Sequence, residues 1–355
     1  MATTWLENIS TPLLPNASES MITDDWDMVH TIIPPYIFTL CVLGLLLNSF
    51  VLVVFLLHKD RLTVAEIYLS NLALADFILL CGLPFWAMSI QNNYNWSYGE
   101  FLCKMVNSSI IINFYTSIYT LVMISVDRYL AIVKTMRARW LRRRRYAKAI
   151  SLNLWMFGLV LSTPVMVYRK VLVFEEYEST ACALDYNHSS SGKLSHQILL
   201  NVAGFALPVL VIVFCSGSII KQLAQRRERV AFHDIKDSKA ILLMYAVTLL
   251  FLICWGPFQI FTFLDTLCDF HVLDENLWFH TLDIGGQVSV YLAFLNSTLN
   301  PLLYVISGQY FRRKVSAIYR RTRQTRRGSD MTTFQRSFVS TYINRPEQIK
   351  PVVIL

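Results

Sequence analysis

Charge is what this sequence has least of. Of its 355 residues only 16% are Asp, Glu, Lys or Arg, against about 25% in an ordinary globular domain. Apolar residues make up 54% and aromatics 13%. A soluble enzyme can be this apolar, but it does not carry several uncharged runs of about 20 residues, the length that crosses a bilayer. Catalytic signatures are missing too. There is no HExxH and no GxSxG, and the seven histidines are scattered through loops and termini, so no enzymatic chemistry is expected. Residues 1–33 hold no short apolar run with a cleavage site, so the first span is expected to serve as its own insertion signal. No internal repeat is evident, which argues against the common transporter architectures. Cysteine is absent before the first span and after the last.

What the chain does have is apolar length. Seven spans are expected near residues 34–57, 64–91, 100–134, 146–168, 195–223, 238–266 and 277–306. The fold class is therefore an all-α membrane protein, a seven-transmembrane helix bundle. Domain limits follow: an outer, glycosylated segment at 1–33, the bundle at 34–306, an amphipathic surface helix at 307–320 and a polar cytoplasmic tail at 321–355. The third span is the axis. Between Lys104 and Asp127 it carries no charge and no proline, yet it holds Asn107, Ser108, Ser109, Asn113, Thr116, Ser117, Thr120 and Ser125. Polar groups left unpaired in hydrocarbon are costly, so this helix needs protein neighbours on most sides.

Orientation follows from the basic residues. The inner side, made of the loops after spans one, three and five, the tail and Arg128, holds all but four of the 32, the exceptions being Lys104, Arg169, Lys170 and Lys193. The positive-inside rule puts the N-terminus outside. The sequons at Asn8, Asn16, Asn95 and Asn187 all fall on that outer side, with the two N-terminal ones the best candidates for glycans. Cys41, Cys81, Cys215 and Cys254 lie within spans and read as packing residues. Cys103 and Cys182 share the oxidising outer side, where a disulfide between them would pin the long loop after span four across the axial helix. Cys268 lies on the same side with no obvious partner.

Polar residues deep in the spans are the functional signal. Asp76 is the one carboxylate buried deep in the bundle, and Asn113, Ser117, Asn296 and Asn300 are polar at mid-span as well. Two interpretations stand: a hydrogen-bonded structural aspartate, or an oxygen-rich pocket for a hard cation, sodium above all. Asp127–Arg128 at the inner end of the axis is either a solvated boundary pair or a latch released when helices move.

These residues match a family. Asn48, Leu72–Asp76, Asp127–Tyr129, Trp155, Pro208, Cys254–Pro257 and Asn300–Tyr304, each in its expected span and order, resemble a rhodopsin-class G-protein-coupled receptor. The resemblance implies nucleotide exchange on a heterotrimeric G protein, with Trp255 as the pivot and Ile118, Pro208 and Phe251 repacking beneath it. Asp127, Arg128, Tyr129 and Tyr304 are then the inner switches. Ser216 departs from the class, many of whose members carry a tyrosine there. Runs at 63–69, 82–87, 127–136 and 257–267 are similar to bradykinin receptors of the type-2 subfamily; angiotensin and chemokine receptors share fewer of them. By that resemblance Asp265, Asp283, Arg169, Gln287, Thr262, Trp255 and Ile111 surround a basic kinin-like peptide. Ile111 stands where type-1 receptors carry a lysine, which favours a ligand that keeps its C-terminal arginine. The family coupling is to Gq, with calcium signalling.

Charge counting points the same way. Fifteen of the 24 acidic residues lie outside, and a mouth so one-sided attracts cations. The same acidity also serves solubility. Inside, Arg142–Arg145, Arg312–Lys314 and Arg320–Arg321 are explained by anionic membrane lipids, and nucleic acid is not an expected partner. Phe311, Val315, Ile318 and Tyr319 give the post-span stretch an apolar stripe. In the tail, Ser329, Thr332, Thr333, Ser337, Ser340 and Thr341 are expected sites for receptor kinases and arrestin, by resemblance. No cofactor is expected beyond sodium as an allosteric ion.

Overall fold

The computed structural model describes residues 17–57, 61–134, 142–174, 179–186, 190–227, 235–307, 311–312 and 314–320. Its helices are α1 (Ala17–Leu57), α2 (Val64–Gln91), α3 (Gly99–Ile132), α4 (Arg144–Leu161) and α5 (Thr163–Tyr168). A hairpin follows, β1 (Arg169–Phe174) and β2 (Ser179–Leu184). Then come α6 (Ser190–Ile198), a π-helical segment (Leu199–Ala206), α7 (Leu207–Arg227), α8 (Ile235–Asp269) and α9 (Glu275–Ser307). Among the described residues, six candidate spans are long and apolar enough to cross a membrane. The seventh long helix, α9, has 33 residues and carries Asn296, Ser297, Thr298 and Asn300, all buried in the bundle. The helix α1 starts at Ala17, well before the expected boundary at 34.

Packing explains why α3 is the axis. It touches α2, α4, α5, β1, α7 and α8, and 67% of its most apolar window is buried against 28% for the stretch Ser191–Gln225. Lipid-facing apolar residues such as Leu46, Leu56, Leu152, Leu210 and Phe214 stay exposed on the outer helices, as expected where the solvent is hydrocarbon. Helix α2 begins with a capping box: Thr63 N–H donates to Glu66 Oε2 at 2.8 Å, and Glu66 N–H to Thr63 Oγ1 at 3.4 Å. Those two bonds satisfy donors that the first turn would otherwise leave orphaned.

Two proline-linked departures shape the bundle. Helix α4 ends at Leu161, a residue before Thr163–Pro164 opens α5, because Pro164 has no N–H to donate to the carbonyl four residues back and its ring crowds that carbonyl. In the stretch expected as span five, the Leu207 N–H reaches back five residues to Val202 O. That leaves the Ala203 carbonyl for the Tyr119 hydroxyl, which donates to it at 2.8 Å. The π-turn thus ties α3 to this helix just ahead of Pro208.

The hairpin crosses the outer end. Its register runs from Arg169 opposite Leu184 to Phe174 opposite Ser179. Cys103 and Cys182 form the expected disulfide, with Cα atoms 5.7 Å apart and a sequence separation of 79. Trp96 is buried against Cys103 and Val106. Asn95 Oδ1 accepts from both the N–H and the hydroxyl of Thr180, so this sequon is folded onto the hairpin. Asn8, Asn16 and Asn187 lie outside the described residues. Cys41, Cys215, Cys254 and Cys268 are buried, whereas Cys81 is on an exposed face rather than in the packing. A second unit covers Gln309–Leu355; of it, 311–312 and 314–320 are described, and all of them are helical. The tail from 321 on lies outside the described residues.

Breaking the disulfide releases a long loop, a constraint typically worth about 2–5 kcal/mol. Cys103→Ser and Cys182→Ser are each expected to lower the unfolding midpoint of the solubilised chain and its delivery to the cell surface. Normal delivery with an unchanged midpoint would mean that the hairpin's other contacts suffice.

Candidate functional site

Beneath the hairpin lies a cavity of about 220 Å³, walled by α2, α3, α6, α8, α9 and the hairpin itself. Trp86, Ile90, Ile110, Ile111, Leu200, Phe258 and Val290 make much of its wall apolar, and Arg169, Lys193 and Asp265 bring charge to it. Arg169 stands at the start of β1. Its guanidinium donates to Asn107 Oδ1. Asn107 in turn donates through Nδ2 to Cys103 O at 2.8 Å and Cys182 Sγ at 3.3 Å. The disulfide therefore positions the arginine through one asparagine. Desolvation pulls the Arg169 guanidinium down to about 10, so it remains cationic at neutral pH. Its Nε is buried with no hydrogen-bond partner.

Asp265 lies on α8, ten residues beyond Trp255. Gln197 Nε2 donates to its Oδ2 at 2.6 Å, and Lys193 Nζ approaches its Oδ1 at 3.6 Å. Thr262, Gln287 and Ile111 share the wall with Asp265 and Arg169, but Trp255 and Asp283 do not. Asp283 is buried, 8% exposed, one layer back. Its position is felt at Tyr94: burial raises that phenol, the hydrogen bond with Tyr291 opposes the rise, and the Asp283 charge adds to it. Tyr94 itself lines the cavity.

Trp255 belongs to the floor. Its ring centroid lies 4.7 Å from Phe114, 6.1 Å from Phe251 and 5.9 Å from Phe258. Phe114 was not singled out by sequence, yet it is fully buried at the centre of this stack. Ile118 lies one turn below it, also fully buried.

Deeper still, Asp76 ties three helices. Its Oδ1 accepts from Asn113 Nδ2 at 2.9 Å and Ser297 Oγ at 2.7 Å, and its Oδ2 accepts from Asn300 Nδ2 at 2.9 Å. Around it Asn113 Oδ1, Asn300 Oδ1, Ser117 Oγ and both amide atoms of Asn296 are buried with no hydrogen-bond partner. A carboxylate whose partners Asn113 and Asn300 each keep an unpartnered oxygen, with Ser117 and Asn296 one turn along the same helices, is the donor set a hard cation takes. Those residues fit a sodium ion.

At the inner end Asp127, 4% exposed, pairs with Arg128 Nη2 at 3.1 Å and with Arg142 Nε at 2.9 Å. Sequence reading anticipated the first partner and missed the second. Tyr129 packs against Phe214 with centroids 5.8 Å apart. Near Ser216, the departure noted above, the Tyr245 hydroxyl of α8 donates to the Ser216 carbonyl at 3.2 Å. Tyr304 falls within α9, but its side chain lies outside what is described.

A ligand cavity over an aromatic floor, a buried carboxylate knot and an inner acid–arginine pair now stand in order along one bundle. The profile described as "7 transmembrane receptor (rhodopsin family)" matches residues 47–304. The chain belongs to the rhodopsin family of seven-transmembrane receptors. Within it, the chain is 45% identical over 323 residues to the B2 bradykinin receptor of Mus musculus, covering 88% of this chain and 82% of that one. It is 46% identical over 310 residues to the B2 bradykinin receptor of Sus scrofa, covering 86% and 84%. The B1 bradykinin receptor of Macaca fascicularis is 39% identical over 297 residues, covering 83% and 84%. As a G-protein-coupled receptor of the bradykinin-receptor group, it is a multi-pass plasma-membrane protein and not an enzyme.

Gly204, in the π-helical segment, lets α3 and its neighbour approach. A Cβ there would fall 2.4 Å from Phe114 Cε1. Phe114 is held between Trp255 and Phe251 and cannot yield. Gly204→Ala gains up to about 1 kcal/mol in helix propensity, but overpacking a tight core costs about 1–3 kcal/mol. The variant is expected to unfold at lower temperature after solubilisation. A raised midpoint would show that the Phe114–Trp255 stack can move aside.

Proposed function

We propose that this chain is a cell-surface receptor for a basic, bradykinin-like peptide and that agonist binding drives nucleotide exchange on a heterotrimeric G protein of the Gq class, with calcium release. The observation that carries the reading is that one cavity is lined by a cation from the hairpin, Arg169, and a carboxylate from α8, Asp265. Arg169 suits the peptide's C-terminal carboxylate; Asp265, supported by Asp283 from behind Tyr94, suits an N-terminal arginine and α-amino group. The greater identity to B2 than to B1 bradykinin receptors supports the same choice. The uncharged Ile111 in the wall supports a ligand that keeps its C-terminal arginine.

Transduction follows from the packing. A peptide that draws α8 inward at Asp265 shifts Trp255 against Phe114 and Phe251, and with them the π-helical segment ahead of Pro208. Sodium at Asp76, with Asn113, Ser117, Asn296 and Asn300, would hold the inactive arrangement. Release of Arg128 from Asp127 then opens the inner face to the G protein. Receptor kinases and arrestin would act on the tail hydroxyls.

The test is agonist-stimulated nucleotide exchange in membranes, with arginine-ended peptides and versions lacking either terminal arginine. Removing one partner of a desolvated charge pair typically costs about 2–5 kcal/mol, so Asp265→Ala is expected to weaken the arginine-led peptide about 30-fold or more. Asp283→Ala, one layer back, is expected to weaken it less, by roughly tenfold. Neither should matter for a peptide lacking that first arginine. Equal losses for both peptides would mean that the aspartates shape the cavity without reading the charge. Preference for a peptide without its C-terminal arginine would contradict the role given to Arg169.

A further inference from the structure

One face of α6 carries three polar residues at positions i, i+3 and i+4: Lys193, His196 and Gln197, all in the cavity wall. Helical spacing of three and four puts such residues side by side. His196 and Gln197 are buried. Gln197 holds Asp265 through its Nε2. The third member, Lys193, is a cation in the acidic part of the cavity. Its Nζ lies 2.8 Å from Asp269 Oδ1 and 3.6 Å from Asp265 Oδ1. Its side chain is 32% exposed, with those of Asp265 and Asp269 at 20% and 24%.

We propose that Lys193 is a tethered counter-ion that occupies the acidic end of the cavity and competes with the cationic N-terminus of the ligand for Asp265. The inference rests on the ligand class proposed above and names the residue that sets its affinity and selectivity. Two carboxylates and one ammonium leave the cluster with a net charge near −1. An incoming guanidinium therefore meets an Asp265 that Lys193 already partly neutralises. The two distances show how the exchange proceeds. Lys193 lies closer to Asp269, so when the guanidinium takes Asp265 the ammonium stays paired with Asp269, which is not part of the cavity wall. Ligand binding then turns one shared cation into two paired ones. Only a ligand with a strong, planar, bidentate cation displaces the ammonium effectively. A weaker cation meets an occupied acid. Lys193 thus acts as a specificity filter, attractive in the free receptor and repulsive toward the wrong ligand.

The experiment is equilibrium binding of an arginine-led, arginine-ended peptide, and of the same peptide without its first arginine, to membranes carrying full-length receptor. Lys193→Gln keeps the stem and removes the charge, whereas Lys193→Arg keeps the charge. Lys193→Gln is expected to bind the arginine-led peptide roughly two- to fivefold tighter than wild type, the upper part of the range for a partly exposed ion pair. Lys193→Arg should bind it no tighter. The gain should vanish for the shortened peptide, vanish in an Asp265→Ala background and shrink as salt rises. Lys104→Gln removes the same charge from the same side, where Lys104 pairs with Glu100, and should leave both affinities unchanged. Unaltered or weaker binding by Lys193→Gln overturns the proposal. So does an equal gain for both peptides, or an equal gain from Lys104→Gln. If wild type binds neither peptide while reaching the surface normally, the ligand class itself falls, which is a separate outcome.

Discussion

A single carboxylate inside a bundle of helices must be satisfied by its neighbours, because hydrocarbon offers it nothing. Asp76 meets that demand with three neutral donors drawn from α3 and α9, and so fixes α2, α3 and α9 in one relative arrangement. The arrangement is specific, since each donor reaches it at hydrogen-bond distance. It is also incomplete: oxygen atoms of Asn113, Ser117, Asn296 and Asn300 around it have no hydrogen-bond partner. Buried networks that are only partly satisfied are the places where an ion or a rearrangement changes the balance. The cavity above and the acid–arginine pair below both sit on helices that this one carboxylate holds.

Three layers connect the ends. Outside, the Cys103–Cys182 bridge positions Asn107, and Asn107 positions Arg169, so the lid and the basic end of the cavity are a single unit. In the middle, Phe114 bears on Trp255 and Phe251, with Gly204 giving it room. The adjoining π-turn hands the Ala203 carbonyl to Tyr119, so α3 and the stretch after it cannot slide independently. Inside, Asp127 is shared between Arg128 and Arg142. Packed interiors switch between discrete arrangements rather than deforming smoothly. A small displacement of α8 at Asp265 therefore has a defined route to the inner face through Trp255.

Much of this was legible in the sequence where the physics is local or compositional. Hydrocarbon thickness sets span length, so the seven helices could be placed to within a few residues, except that α1 runs on to Ala17. The basic residues set orientation, and of the three outer cysteines the pairing of Cys103 with Cys182 was legible. Asp76 and its amides stood out because polar residues at mid-span are expensive. What escaped depends on contacts between distant segments. Lys193, His196 and Gln197 look like ordinary loop polarity until α6 winds them onto one face; their three-and-four spacing was the available signal. Arg142 passed for one more basic residue in an arginine run, though it bonds Asp127. Phe114 is one aromatic among many until Gly204 and Trp255 close around it. The π-turn ahead of Pro208 leaves no compositional mark beyond the proline. Asp265 and Asp283 were named together by resemblance, and of the two only Asp265 lines the cavity.

The account stands or falls on the claim that the Asp76 knot holds the inactive arrangement through a cation. Agonist affinity measured in sodium and in a large organic cation at equal ionic strength, for wild type and Asp76→Asn, tests it most directly. The predicted result is that sodium weakens agonist binding to wild type by favouring the inactive state and has no such effect on Asp76→Asn, which keeps the shape of the side chain but not its charge. The same sodium response in both proteins would contradict it.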